Sequence, residues 1–272
     1  MEPANSIEIV AHRAVWSLFF CIALLAYTKK LGPTLALLKN PHIVKRLALS
    51  SALVSVNWLT YIWGVNHGHV VECALGYYIN PLIIIAFGVI LLKEKMRKLQ
   101  WFAVIVAAIG VAILTIDYGR PPWIALALAV SWGSYGLVKK QLGLGALEGL
   151  TIETILSFIP YAGYLLWIGT HGNGQFGQKF SLTFLLVLAG AVTAIPLLMF
   201  NGSTNRLPFT IIGLLQYITP TIQFLIGVVV RHEAMPTGRW IGFLTIWVAL
   251  IALGTDLVKS GSSSNNRVAQ AD

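Results

Sequence analysis

Acidic charge is scarce in this sequence. Ten Asp and Glu stand against nineteen Lys and Arg, and charged residues of both signs make up 11% of the 272 residues. A soluble domain carries about a quarter of its residues charged, so composition excludes that class. Cysteine is scarcer still, at two residues. Cys21 and Cys73 both fall in or beside apolar runs, where a small buried thiol is expected rather than a disulfide. No HExxH, CxxC or GxxxxGK[ST] pattern occurs, which removes the common zinc-hydrolase, redox-pair and phosphate-loop chemistries; no metal or cofactor is expected. A polar opening, Glu2-Pro-Ala-Asn-Ser6, is not the start of a cleaved signal peptide. The net charge of +9 would suit nucleic acid, but the basic residues sit in short connectors between apolar runs, so nucleic acid is not an expected partner.

What remains is apolar. Hydrophobic residues make up 57% of the chain, in runs of about 20 residues, the length that crosses a bilayer as helix. Nine membrane helices are predicted, at 7–27, 46–66, 70–92, 99–117, 121–139, 150–168, 182–204, 208–230 and 238–258, giving an all-α integral membrane protein. Asn5-Ser-Ile-Glu8 reads as a capping box at the start of the first. The connectors, 28–45 and 169–181 included, read as loops, and 259–272 as a disordered tail. Fourteen Lys and Arg fall on the side of connectors 1–2, 3–4, 5–6, 7–8 and the C-terminus, against five on the other. The positive-inside rule then makes the C-terminus cytoplasmic and residue 1 external.

The chain also repeats itself. Adding 139 carries Tyr78, Ile79, Pro81, Ile83, Gly88, Val89, Glu94, Met96 and Trp101 onto Tyr217, Ile218, Pro220, Ile222, Gly227, Val228, Glu233, Met235 and Trp240 without a gap. Nine identities in 26 positions exceed the roughly two or three that chance supplies in so apolar a chain. Residues 1–118 form the first copy, with four helices, and 119–258 the second, with five. The counterpart of helix 121–139 would lie before residue 1. Five plus five is an odd number per copy, so the halves are expected upside down to one another, the inverted-repeat plan of secondary transporters with a site near the midplane.

Several segments in order resemble the RarD-type permeases, in the EamA branch of the drug/metabolite transporter superfamily. They are His12-Arg-Ala-Val-Trp-Ser17, Asn57-Trp-Leu-Thr-Tyr-Ile-Trp63, Leu75-Gly-Tyr-Tyr-Ile-Asn-Pro81, Tyr135-Gly-Leu-Val-Lys139, Ile152-Glu-Thr154 and Gln216-Tyr-Ile-Thr-Pro220. The resemblance runs from about Ala4 to Asp256. It implies ten helices, cytoplasmic termini and carriage of a small solute across a bacterial inner membrane. Such permeases often carry a chloramphenicol-sensitive or chloramphenicol-resistance label. The departure is the missing first helix; a late start codon, a truncation and a nine-helix variant would all give it.

Polar groups inside a membrane are costly and mark candidate sites. Glu72, Gly76 and Asn80 are spaced by four and share a helix face, which either lines a pathway or packs helices. Glu153 lies one turn into its helix, where a carboxylate is favoured by the dipole. Arg13 needs a carboxylate, carbonyl or water, or must snorkel to the interface. His12 can titrate and carry a proton or sit as a bonded core residue, and Glu8 is four residues from it. Proton-coupling candidates are thus His12, Glu72 and Glu153. Asn57, Trp58 and Tyr61 share a mid-helix face suited to an aromatic solute, or to helix association. Pro81 and Pro220, beside Asn80 and beside Gln216 and Tyr217, are expected to break their helices and free carbonyls for a binding site. Trp132, Tyr135 and Asn201 read as packing or interface anchors.

The expected function is a secondary transporter of a small metabolite or drug-like solute, working by alternating access, with or without proton coupling, and not an enzyme. Membrane lipids and a small-molecule substrate are the expected partners, and a homodimer is allowed. A non-transporting scaffold or sensor, or an intramembrane enzyme, is the rival reading; the first would not need an inverted repeat with midplane prolines, and for the second metal-ligand spacing, a mid-membrane Asp pair and a serine-histidine arrangement are missing from the sequence.

Overall fold

Apolar runs become helices throughout, and side chains at their ends decide where each begins. The structure, a computed structural model, describes residues 5–172, 174–225, 240–242, 244–249, 251–252 and 255. Helix α1 (Ser6–Tyr27) starts where the Asn5 side chain accepts the Ile7 N–H at 2.8 Å. The expected capping box is only half formed. Glu8 turns away from Asn5 and accepts the Gln175 N–H at 2.7 Å instead. The 28–45 connector is not a plain loop, since it holds α2 (Leu31–Ala36) and a 3-10 turn at Leu37–Lys39. Pro33 is tolerated there because it falls in the first turn, whose N–H groups have no intrahelical acceptor. Asn40 caps α3 (Pro41–Asn66), accepting from His42 and Ile43 with Pro41 at the first helical position.

The remaining helices are α4 (Val70–Ile90), α5 (Lys98–Tyr118), α6 (Trp123–Leu142), α7 (Ala146–Thr170), α8 (Phe180–Arg206), α9 (Phe209–Gln216) and α10 (Ile218–Leu225). A further short apolar helix covers Trp240–Ala249. Among the described residues there is no strand. Six helices among the described residues, α1, α3, α4, α5, α7 and α8, are long and apolar enough to cross a membrane. The repeat segment Val229–Ala234 and the tail from Lys259 lie outside the described residues.

Helix α5 shows which solvent the surface is built for. Its buried face is small, with Ala103, Ala107 and Gly110, while Phe102, Ile105 and Ile109 are exposed. A soluble helix does the reverse; large apolar groups outside and small ones inside are the pattern of a helix that meets lipid. Close approach is literal at Gly110, where an added Cβ would come to 3.0 Å from the Gly242 carbonyl. Carboxylates also tie helix starts. Glu94 accepts the Phe209 and Thr210 N–H groups at 2.7 and 2.8 Å, which suits the positive end of α9.

The chain divides into two compact units. One comprises Met1–Gly68 and Ser134–Leu207, the other His69–Gly133 and Pro208–Asp272. In the first unit α1 packs on α7 and α8, and α3 on α7. Its tightest seam is at Gly190, where a Cβ would lie 2.4 Å from that of Trp16. Ser17 donates to the Gly190 carbonyl at 3.0 Å across the same seam. In the second unit α4 packs on α5, α9 and α10, around a core that includes Tyr78, Ile79, Ala107, Ala125, Leu214 and Tyr217.

Candidate functional site

Residues 149–154 of α7 are all buried, and Glu153 stands among them in the first unit. One of its carboxylate oxygens accepts from the Lys139 ammonium at 3.1 Å and from the Ser50 hydroxyl. Ser51 donates to the Glu153 backbone carbonyl at 3.1 Å. The second oxygen, Oε2, has no partner among the described residues. The side chains of Lys139 and Glu153 are 4% and 3% exposed, so this is a buried ion pair. Such a pair holds only if each charge keeps the other. Gly149 makes room for it, since a Cβ there would sit 2.6 Å from the Lys139 nitrogen. One turn before Lys139, Tyr135 exchanges hydrogen bonds with Asn201, Oη to Oδ1 at 3.1 Å and Nδ2 to Oη at 2.9 Å.

Elsewhere in this unit Arg13 donates from Nε to the Thr193 hydroxyl at 2.9 Å, and its guanidinium lies 4.7 Å from the Trp58 ring centroid. The arginine is therefore held by a hydroxyl and a π-face. Asn57 and Tyr61 are half-buried on α3. His12 does not pair with Glu8. It stacks on Phe176 at 4.9 Å, and neither ring nitrogen has a partner among the described residues.

In the second unit the face shared by Glu72, Gly76 and Asn80 is divided. Glu72 accepts the Ile124 N–H and the Tyr118 hydroxyl, each at 2.7 Å, with Arg120 at 3.8 Å. Gly76 lies against α6, where a Cβ would meet Leu128 at 3.2 Å and Ala125 at 3.3 Å. Glu72 thus caps the start of α6 and Gly76 lets that helix come close. Asn80 goes elsewhere and donates from Nδ2 to Gln216 Oε1.

The two prolines behave differently. Helix α4 runs through Pro81 as one element, because a single missing ladder bond is tolerated when the turns on both sides remain bonded. Near Pro220 the helix is interrupted: α9 stops at Gln216, Tyr217 forms a turn, and α10 starts at Ile218. Gly213 admits this stretch to α4, since a Cβ there would lie 2.9 Å from the Pro81 carbonyl. Tyr78 donates to the Pro220 carbonyl at 3.2 Å. Around the interruption Asn80 Oδ1, Gln216 Nε2 and the Tyr217 hydroxyl are buried, and none has a partner among the described residues. One acceptor, one amide donor and one hydroxyl can therefore engage a polar solute.

Sequence reasoning paired Asn80 and Pro81 with Gln216, Tyr217 and Pro220, and the structure brings these together. It passed over Lys139, which was counted among the connector charges, and Ser50 and Thr193. The sequence reading ends one helix at 139 and starts the next at 150, which hides the pair; the structure extends both and leaves a three-residue connector, so a lysine in the last turn of α6 can reach a carboxylate in the second turn of α7. Among the described residues no three His, Cys, Asp or Glu side chains gather as a metal site.

Known proteins resemble this chain over most of its length. The EamA-like transporter family matches residues 1–116. "Protein RarD" of Streptomyces exfoliatus is 45% identical over 272 residues, covering 100% of this chain and 86% of that protein. "Uncharacterized transporter YojE" of Bacillus subtilis (strain 168) is 44% identical over 262 residues, covering 95% and 88%. One solved crystal structure superposes with a TM-score of 0.68 at 18% identity, over 93% of this chain and 88% of that one, a likeness of fold.

Proposed function

This chain belongs to the RarD-type branch of the EamA-like transporter family, and on that premise we propose that it is a secondary transporter moving a small solute by alternating access. It is a multi-pass membrane protein of the transporter class. The observation that carries the finer reading is the polar cluster at the α9–α10 interruption. Three buried polar atoms on Asn80, Gln216 and Tyr217 without partners are expensive in an apolar interior, at about 1–3 kcal/mol each. A scaffold gains nothing from that cost, whereas a transporter recovers it when a solute's own donors and acceptors fill the site. Helix interruptions at membrane depth are where transporters bind solute. The repeat of 1–118 in 119–258 supports the inverted plan, because Pro81 and Pro220 are equivalent positions of the two copies.

Coupling, in this reading, lies at Glu153. A proton taken at its unoccupied Oε2 removes the negative charge that holds Lys139 and frees the ammonium. The C-terminus is assigned to the cytoplasm of a bacterial inner membrane on the charge asymmetry, which survives the transfer of Lys139 from connector to core.

The test is uptake into proteoliposomes with and without a proton gradient, with chloramphenicol, the solute in the permease label, as first probe. Tyr217→Phe deletes a hydroxyl that has no partner among the described residues, so the protein should melt no lower than the parent while solute affinity falls about tenfold. Unchanged affinity in Tyr217→Phe and in Asn80→Ala would place the solute elsewhere.

A further inference from the structure

A second recess, distant in composition from the clusters above, opens between α1 and α7 in the first unit. Its volume is about 470 Å³. Its walls are apolar, among them Phe19, Phe158 and Phe176, and its polar lining side chains are Glu8 and His12. Both polar residues are deeply buried, Glu8 at 2% and His12 at 5% exposure. They sit four apart on α1 and so face the recess together. The Glu8 carboxylate accepts a backbone N–H from Gln175 and has no cationic partner among the described residues. His12 presents two ring nitrogens with no partner among the described residues. Among the described residues no Lys or Arg lines the recess. Two of the lining residues, Phe19 and Leu166, are exposed apolar groups on helices long and apolar enough to cross a membrane, a surface suited to lipid.

We propose that this recess is a binding site for an amphiphilic ammonium, the cationic head held by Glu8 and His12 and an apolar ring or chain lying along Phe19 and Phe158. The charge argument sets the sign of the ligand. A buried carboxylate without a counter-ion favours a cation strongly in a low-dielectric wall. The imidazole can accept one ammonium N–H through its unprotonated nitrogen, while the carboxylate accepts others. Phe176, stacked on His12, adds a π-face to the same head group. A ligand whose only charged group is a carboxylate or phosphate would meet Glu8 with like charge and is excluded. The ammonium can belong to a free aromatic amine or to the ethanolamine head of a lipid, since part of the lining is suited to lipid and both share the head-group chemistry. This site is independent of the transport reading above.

The full chain is reconstituted in nanodiscs of phosphatidylglycerol alone and titrated calorimetrically with 3-phenylpropylammonium, with 4-phenylbutyrate as the same-sized anion. Parallel discs contain phosphatidylethanolamine, and native mass spectrometry counts retained lipid. One ammonium should bind per chain and the anion should not. Glu8→Gln should weaken binding about tenfold or more, the effect of losing a charge-assisted contact. Glutamine still offers an oxygen to the Gln175 N–H, so this variant keeps the loop in place; His12→Phe removes both nitrogens without opening the recess. If the lipid is the occupant, one phosphatidylethanolamine is retained by the parent and lost in Glu8→Gln, and the amine competes only weakly in discs that contain it. If the free amine is the occupant, it titrates equally in both discs. Equal binding of the anion, unchanged affinity in both variants, or neither amine binding nor lipid retention would each overturn the proposal.

Discussion

Removing one half of the Lys139–Glu153 pair should be far worse than removing both. Both side chains are almost fully buried at 4% and 3% exposure, and a buried charge stripped of its partner costs about 3–5 kcal/mol. Glu153→Gln keeps an oxygen for Ser50 but leaves the Lys139 ammonium without a counter-charge. Lys139→Met leaves the carboxylate with hydroxyl neighbours only, Ser50 and Tyr135, and no cation. The double variant has no buried charge left, and replacements of that kind are near neutral or stabilising. A cycle of the four proteins should therefore give a coupling of about 3 kcal/mol or more, several times the value of an exposed pair. At about 2–4 °C per kcal/mol for a chain of this size class, each single variant should melt on the order of 10 °C below the parent, and the double variant close to it. The assay is fluorescence-monitored melting in one detergent, followed by proton-driven uptake. Single variants that melt with the parent, or a double variant as unstable as the sum of the singles, would refute the ion-pair reasoning. A double variant that is stable and still concentrates solute would show that the pair only holds the fold.

The other expectations concern packing, capping and orientation. Gly190→Ala should lower stability by about 3 kcal/mol or more, since its Cβ collides with the Trp16 backbone; Gly202→Ala, with nothing within 4 Å on the same helix, should raise it by up to about 1 kcal/mol. Thermal melts of the two in parallel check this, and equal effects would mean that the α1–α8 seam is looser than described. Glu72→Gln should lower stability by about 1–3 kcal/mol and leave gradient-driven uptake intact, because both oxygens are used in bonds to Tyr118 and Ile124. Normal melting with lost uptake would make Glu72 a coupling residue instead. A reporter fused after Asp272 should read as cytoplasmic, and a periplasmic signal would reverse every connector.

Hydropathy alone located the long helices to within a few residues, because crossing a bilayer is a requirement on length and polarity that each segment meets by itself. The Asn80–Gln216 meeting was also legible, through the repeat. Long-range polar choices were not. Glu8 looks like half of a capping box from four residues of sequence, yet its acceptor role is spent 167 residues away on Gln175. The face Glu72–Gly76–Asn80 spans about 12 Å of helix rise, enough to meet two neighbours, and the spacing by four gives no sign of where one ends and the next begins. Pro81 and Pro220 are identical in the repeat, but only the second lies beside an interruption; the difference rests in the neighbours that bond the adjacent turns.

The grip on Arg13 has a consequence for how the protein is made. Its π partner, Trp58, is 45 positions further on, but its hydroxyl partner, Thr193, is 180 positions away. Ser17 must likewise wait for Gly190, 173 positions later. At about 5–20 residues per second, α1 emerges from the ribosome roughly 9–36 s before the helix that completes its packing. During that interval an arginine, a histidine and a glutamate occupy its first half without their final neighbours, at a cost to insertion of about 2.5–3.5 kcal/mol for a central arginine alone. Helix α1, made early, is thus among the last to be finished, and a chain that stalls before α8 leaves the most polar face of α1 open to lipid and to quality-control proteases.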